Sequence, residues 1–259
     1  MFLLKKISAI FLFLMLILVS VALCAQEVKM VPIDGGSFVP LYGATAKKPV
    51  NVASFSIDIY PVTNAQYLAF VKKYPDYSRS KMKALFADKS YLNQWASDFN
   101  YGTNNLDNAP VTNVSWFAAK KYCECQGKRL PTMDEWEYVA MADEKRSDAR
   151  TKEEFNKYIL SWYEKPKSYS NPVGHTFKNY WGVYDMHGLV WEWTSDFNSI
   201  FLSGESRKDK DTDKNLFCGS GSVNATDLMN YAAFMRYAFR GSLKASYTTK
   251  NLGFRCAKD

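Results

Sequence analysis

The sequence predicts an α+β domain rich in irregular structure, and three observations carry that prediction. Two amphipathic helical patterns with side-chain caps lie in the first half. From Tyr180 onward the apolar residues fall in short runs between long polar stretches, with no helical period. Aromatic residues make up 16% of the chain, with 7 Trp, 17 Tyr and 17 Phe, ample material for a core between few regular elements.

The first 25 residues are set aside before any fold reasoning. Lys5 and Lys6 precede an apolar stretch from Ile7 to Ala22, interrupted by Ser8 and Ser20, and Ala25 with Gln26 offers a small-residue cleavage point. That is the pattern of a secretory signal over 1–25. The apolar run of about 16 residues is shorter than the ~20 of a spanning helix, so cleavage is expected over a retained anchor. Lipidation at Cys24 ranks second, because Leu23 is bulky for such a site. The domain is then expected over 26–259, periplasmic or secreted, with membrane contact only through an uncleaved signal.

Val28 to Ile33 and Ser37 to Tyr42 predict two strands about a tight turn at Gly35-Gly36. Val50 to Ile59 predicts another strand, which Pro61 ends. Thr63 or Asn64 caps a helix whose apolar face is Tyr67, Leu68, Phe70 and Val71. Residues 76–108 are polar and asparagine-rich, the composition of a loop. Ser115 caps a helix through Gln126, stopped by Gly127. Thr132 and Glu135 form a capping box before the stripe Trp136, Val139, Ala140. A charged excursion from Asp143 to Glu154 precedes a short helix from Phe155 to Trp162. Val190 to Thr194, Leu216 to Ser222 and Leu252 to Cys256 predict short strands. Trp116, Trp136, Trp191 and Trp193 are expected mainly in the core.

The net charge of +7 falls to +5 once Lys5 and Lys6 are removed, no acid leaving with them. The excess is mixed with acids, as in the stretch from Arg207 to Lys214, which is a solvated loop pattern and argues against nucleic acid. Outside the signal lie Cys123, Cys125, Cys218 and Cys256. In an exported chain four cysteines predict two disulfides, with three possible connectivities. A zinc site is the rival, weakened because Cys123-Glu124-Cys125 is too tightly spaced for a knuckle.

Five ordered segments carry a family resemblance. They are Ile57 to Tyr67 (IDIYPVTNAQY), Pro110 to Trp116 (PVTNVSW), Gly127 to Tyr138 (GKRLPTMDEWEY), Gly182 to Asp196 (GVYDMHGLVWEWTSD) and Asn251 to Cys256 (NLGFRC). The chain resembles the formylglycine-generating enzyme, or sulfatase-modifying factor, domain over nearly all of its mature length. The resemblance implies a C-type-lectin-like fold, loop-rich with few helices and short strands. It also implies a disulfide between Cys123 and Cys256, leaving Cys125 and Cys218 as a second pair.

In the family the positions matching Asp185, Gly188, Val190 and Glu192 hold calcium. Two carboxylates flanking a glycine turn suit a hard cation, which takes 6–8 oxygens, with carbonyls and water completing the shell. A turn whose acids cap nearby amides is the rival. Leu189 replaces the asparagine that the family prefers, and residues 163–179 are too short for the family's second calcium site.

Active members carry two copper-binding cysteines four residues apart after a Gly-Gly-Ser strand. The matching stretch here, Gly221 to Ala232, contains none, so copper is not expected; thiolates are what suits Cu(I). Non-haem iron chemistry, seen in other relatives, needs a histidine cluster, and His175 and His187 are the only two histidines. Positions matching Trp191, Ser222 and Asn251 line the family's substrate cleft and are retained. The expectation is a non-catalytic accessory, maturation or binding protein whose cleft holds a protein segment. The stretch Asn230 to Lys244 is similar to accessory proteins associated with copper nitrite reductase, which implies a periplasmic copper enzyme as partner. An oxidase of altered chemistry using Cys125 and Cys218, or the thioethers of Met229 and Met235, with copper, and an envelope structural component, are the alternatives.

Overall fold

The computed structural model describes residues 28–40, 49–165, 167–198 and 228–259. Seven short strands and five α-helices occur among them. The strands are β1 (Met30–Ile33), β2 (Gly36–Phe38), β3 (Val50–Val52), β4 (Phe55–Asp58), β5 (Trp191–Glu192), β6 (Leu252–Gly253) and β7 (Ala257–Lys258). The helices are α1 (Asn64–Lys73), α2 (Trp116–Cys125), α3 (Met133–Ala140), α4 (Glu153–Tyr163) and α5 (Leu228–Gly241). This is the mixed, loop-rich architecture expected from the sequence.

The expected turn at Gly35-Gly36 is a bend. β1 pairs with β4 and β2 with β3, both antiparallel. Ile33 faces Phe55 and Gly36 faces Val52, so one register runs through both pairs. Residues 30–38 therefore form one arm and 50–58 the other, and the connection between them is 39–49. The arms bend together where Gly35 donates to Ser54 Oγ at 3.0 Å. A Cβ on Gly35 would lie 2.6 Å from the Val52 carbonyl, so backbone approaches backbone where only glycine fits. The pattern Val50 to Ile59 marked the second arm correctly and could not show its bend at Ala53-Ser54. Of the expected strand Leu252 to Cys256 only Leu252–Gly253 pairs as a strand, β6; β7 follows just past it and adds to β4 to complete the sheet β1-β4-β7.

The capped helices form as expected. Thr63 Oγ1 accepts from Gln66 N while the Gln66 side chain accepts from Thr63 N. Ser115 caps α2, and Gly127 follows it with φ +67°. Thr132 and Glu135 make the reciprocal box of α3. α1 and α2 pack Tyr67, Phe70, Val71, Ala118, Ala119 and Tyr122 into one core with Trp193 and Phe254. α3 packs Trp136 and Val139 against Ile33, Phe55 and Ile57 of the sheet arms.

The expectation of no helix after Tyr180 is corrected by α5, 14 residues long. It packs on α4. Its buried residues include Ala232, Ala233, Arg236, Tyr237 and Arg240, which follow a helical period. Two of the five are arginines, so hydropathy alone does not reveal the buried stripe. The predicted strand Leu216 to Ser222 lies outside the described residues.

Candidate functional site

The segments VWEW and NLGFRC meet as the parallel pair β5–β6, with Trp191 opposite Leu252 and Glu192 opposite Gly253. Trp191 N donates to Asn251 O at 2.8 Å and Trp193 N to Gly253 O at 3.0 Å. Gly253 is required at this crossing, since a Cβ there would lie 2.8 Å from the Val111 carbonyl. Side chains alternate along β5. Trp193 is buried and donates its indole N–H to Val114 O. Glu192 points the other way and is also buried. Arg255 Nε and Nη2 each reach it at 2.8 Å, and Trp136 Nε1 donates to Oε2 at 2.8 Å. Arg255 also donates to the carbonyls of Asp58, Ile59 and Tyr184, joining its own segment to two others.

Asp185 sits in the left-handed region at φ 59°. Its carboxylate accepts from Gly174 N, Thr176 N and Thr176 Oγ1, which ties the strap of residues 168–177 to this turn. Gly188 has φ +103°, and a Cβ there would lie 2.6 Å from the Tyr158 hydroxyl. These are the positions at which the sequence predicts calcium. In this arrangement they do not form a cation shell: N–H groups and a hydroxyl surround Asp185, and a guanidinium and an indole N–H surround Glu192. A calcium ion would require those donors to be displaced. Among the described residues no group of three or more His, Cys, Asp or Glu side chains could hold a metal.

Of the three expected cleft residues, the structure brings two together. Trp191 and Asn251 are neighbours through the β5–β6 pair, and Asn251 Oδ1 accepts from Thr249 Oγ1 at 3.0 Å. Ser222 lies outside the described residues. The Trp191 ring is half-buried and packed by three others. Tyr163 stacks at 5.0 Å between centroids, Phe239 lies at 4.6 Å and Trp162 at 5.2 Å. Phe239 comes from α5, so the helix that the sequence reading missed closes over the expected cleft residue.

The Cys123–Cys256 disulfide is present and joins α2 to the residue preceding β7. Cys125 is half-buried and has no disulfide partner among the described residues; Cys218 lies outside them.

A buried charge cluster was missed by the sequence reading. Glu137 on α3 takes Arg236 Nε at 2.9 Å and Nη2 at 2.7 Å, and Arg240 Nη1 at 2.8 Å, with all three side chains at or below 8% exposure. Burial pushes the Glu137 carboxyl up, but the two guanidiniums outweigh it and hold it at about 2. Arg240 also lies 4.5 Å from the Trp136 ring centroid. His187 is buried beside this cluster with Nε2 on Ala140 O at 2.8 Å. Burial and the Arg236 charge lower it to about 3, so it is neutral. The signal that could have revealed the cluster is the four-residue spacing of Arg236 and Arg240 within an aromatic stretch.

The model of the sulfatase-modifying factor enzyme 1-like domain matches residues 20–259. "Inactive C-alpha-formylglycine-generating enzyme 2" of Bos taurus is 30% identical over 90% of this chain and 88% of its own. "Formylglycine-generating enzyme" of Mus musculus is 28% identical over 89% of this chain and 75% of its own. A solved structure, that of PvdO from Pseudomonas aeruginosa, is 18% identical with a TM-score of 0.49, covering 91% of this chain and 96% of that one.

Proposed function

The chain belongs to the sulfatase-modifying factor enzyme 1-like family, and from that premise we propose that it is an exported, non-catalytic accessory protein that binds a segment of a partner protein. The observation that carries this reading is the stretch Gly221 to Ala232, which has no cysteine where active members of the family place their copper-binding pair. A thiolate pair is the donor set that Cu(I) needs there. The residues present do not fit a copper centre of the family's kind, and no oxidation step is derived through one.

The family includes members named as inactive, which makes a binding role without turnover a natural one for the fold. Export rests on the 1–25 pattern, and a periplasmic copper enzyme as partner rests on the stretch Asn230 to Lys244. The partner would meet the edge formed by Trp191 and Asn251. The Trp191 ring, held by Tyr163, Phe239 and Trp162, gives that edge a preorganised aromatic face.

The test is Cu(I) titration of the mature protein together with aerobic incubation of a Cys-x-Pro-x-Arg peptide. The expected result is no tight copper binding and no formylglycine in the peptide by mass spectrometry. Turnover would sink the reading and transfer the chemistry to the runner-up, an oxidase using Cys125 and Cys218. Intact mass of the unreduced protein distinguishes these further, because two disulfides leave no free thiol for copper outside the signal.

A further inference from the structure

An open groove of about 860 Å³ runs between α4 and the strap 168–177. Its volume lies in the usual range for ligand sites. Its middle is aromatic and neutral, lined by Tyr158, Trp162 and Phe177 with Gly188 at the base. Its ends carry opposite charge. Glu154 lines it in the first turn of α4, Glu144 lines it beside Asp143, whose carboxylate is tied to Lys152 just before that helix, and Lys165 and Lys167 line it just past the helix end. All four are exposed. Among the described residues none of the four is in a salt bridge, whereas the adjacent Glu153 is taken by Lys157 and Asp143 by Lys152.

The groove is built before any ligand arrives. Asp185 fixes the strap at Gly174 and Thr176. Trp162 Nε1 donates to Ser168 Oγ at 3.0 Å, and that hydroxyl donates to Leu189 O at 2.8 Å. Tyr158 OH donates to His187 O across the floor. α4 has 11 residues, so the two charged ends stand ~16 Å apart at 1.5 Å per residue. An extended chain covers that distance in about five residues.

We propose that this groove binds an extended, dipolar peptide segment of a partner protein, placing a basic side chain at Glu144 and Glu154 and an acidic side chain, about five residues away, at Lys165 and Lys167. A nucleic acid or an anionic lipid surface offers no cation for the acidic end, and a neutral glycan uses neither end. A peptide supplies both charges and an apolar middle for the rings. The inference deepens the partner-binding reading and rests on it, since Trp162 joins the groove floor to Trp191. Catalytic inactivity plays no part in it.

The probes are four end-blocked, fluorescein-labelled hexapeptides with an Ala-Ser-Gly-Ala centre, titrated into the mature protein at low ionic strength and followed by anisotropy. Two carry Arg and Glu at their ends in the two possible orders; the others carry two Arg or two Glu. One dipolar order is expected to bind about five- to tenfold more tightly than either like-charge peptide, as two exposed charges per pole can provide. E144K/E154K should transfer the preference to the peptide with two Glu, and K165E/K167E to the peptide with two Arg. Exposed substitutions of this kind leave folding nearly unchanged, which circular dichroism checks. The proposal is overturned if no peptide saturates, if all four bind equally, or if the dipolar preference survives both reversals. The last result would place binding elsewhere, and the copper and formylglycine assay would stand unaffected by any of these outcomes.

Discussion

Helices α1 to α3 and helix α5 are held by opposite means. Each of the first three begins at a side chain that caps its own backbone, Thr63, Ser115 or Thr132, within three residues of the amide it satisfies. α5 is anchored across about a hundred residues, by Arg236 and Arg240 on Glu137 of α3. A cap contributes about 1 kcal/mol. Breaking a buried charge cluster by removing one partner costs about 3–5 kcal/mol, because the remaining charges are left without compensation. The local device announces itself in sequence and is energetically small; the distant one is silent in sequence and energetically large.

The strongest test of that contrast is Glu137→Gln. It retains the shape and removes the carboxylate that the two guanidiniums share. Stability in urea is expected to fall by about 3–5 kcal/mol, and hydrogen exchange should show α5 opening while α1 and α2 stay protected. A loss below about 1 kcal/mol would mean that α5 is held by its apolar contacts with α4, and the comparison would fail. The same carboxyl has a pH window of its own. Its pKa is depressed from 4.5 to about 2, so its contribution is fully present above 4.5 and is lost as pH falls toward 2.

How far the fold could be read from sequence follows the same division. The cap at Thr63, the box at Thr132 and the stop at Gly127 are short-range patterns, and all three occur as expected; that Gln66 closes a box at Thr63 is added by the structure. Gly35-Gly36 was legible as a break but not as a bend, because a glycine pair does not state which backbone approaches it. Here it is the Val52–Ser54 backbone, and that approach exists only once the two arms pair. α5 was hidden because Arg236 and Arg240 look polar until Glu137 is placed beside them. Glu192 is expected from the family resemblance as a calcium ligand, and the sequence does not show the side chains it meets here. Its partners, Trp136 and Arg255, are 56 and 63 residues away, beyond the reach of any local pattern.

His187 sharpens the comparison, because it belongs to both systems. It donates to Ala140, the last residue of α3, and its pKa is lowered by burial and by Arg236 of α5. The folded protein keeps it neutral down to about pH 3, while the unfolded chain protonates it near 6.5. The unfolded state therefore binds the extra proton, and stability falls as pH drops from 6.5 toward 3. The slope is about 1.4 kcal/mol per pH unit, or about 2 kcal/mol between pH 6.5 and 5. His187→Gln should be less stable at pH 7.5 and should lose most of this slope, measured by urea denaturation from pH 7.5 to 5. That window lies above the one belonging to Glu137, so the two are separable. An unchanged slope would mean that the imidazole gains a proton in the folded state, contrary to its burial beside two guanidiniums.

The smallest expected effect tests the local half of the comparison. Thr132→Ala removes the hydroxyl that accepts from Glu135 N at 3.1 Å, and about 1 kcal/mol should be lost. Thr132→Ser keeps the acceptor and should stay within about 0.5 kcal/mol of the parent. The position is informative because Glu135 has a second commitment: both of its oxygens take Arg129 at 2.7 Å. If the cap acts locally, Thr132→Ala and Arg129→Met should add to within about 0.5 kcal/mol in a double-mutant cycle. If Arg129 is what holds Glu135 in place to complete the box, the cycle will show coupling, and the start of α3 will have to be counted with the distant devices. Residues in contact often couple, so additivity here would be the stronger result, marking the cap as a device that works from three residues of sequence alone.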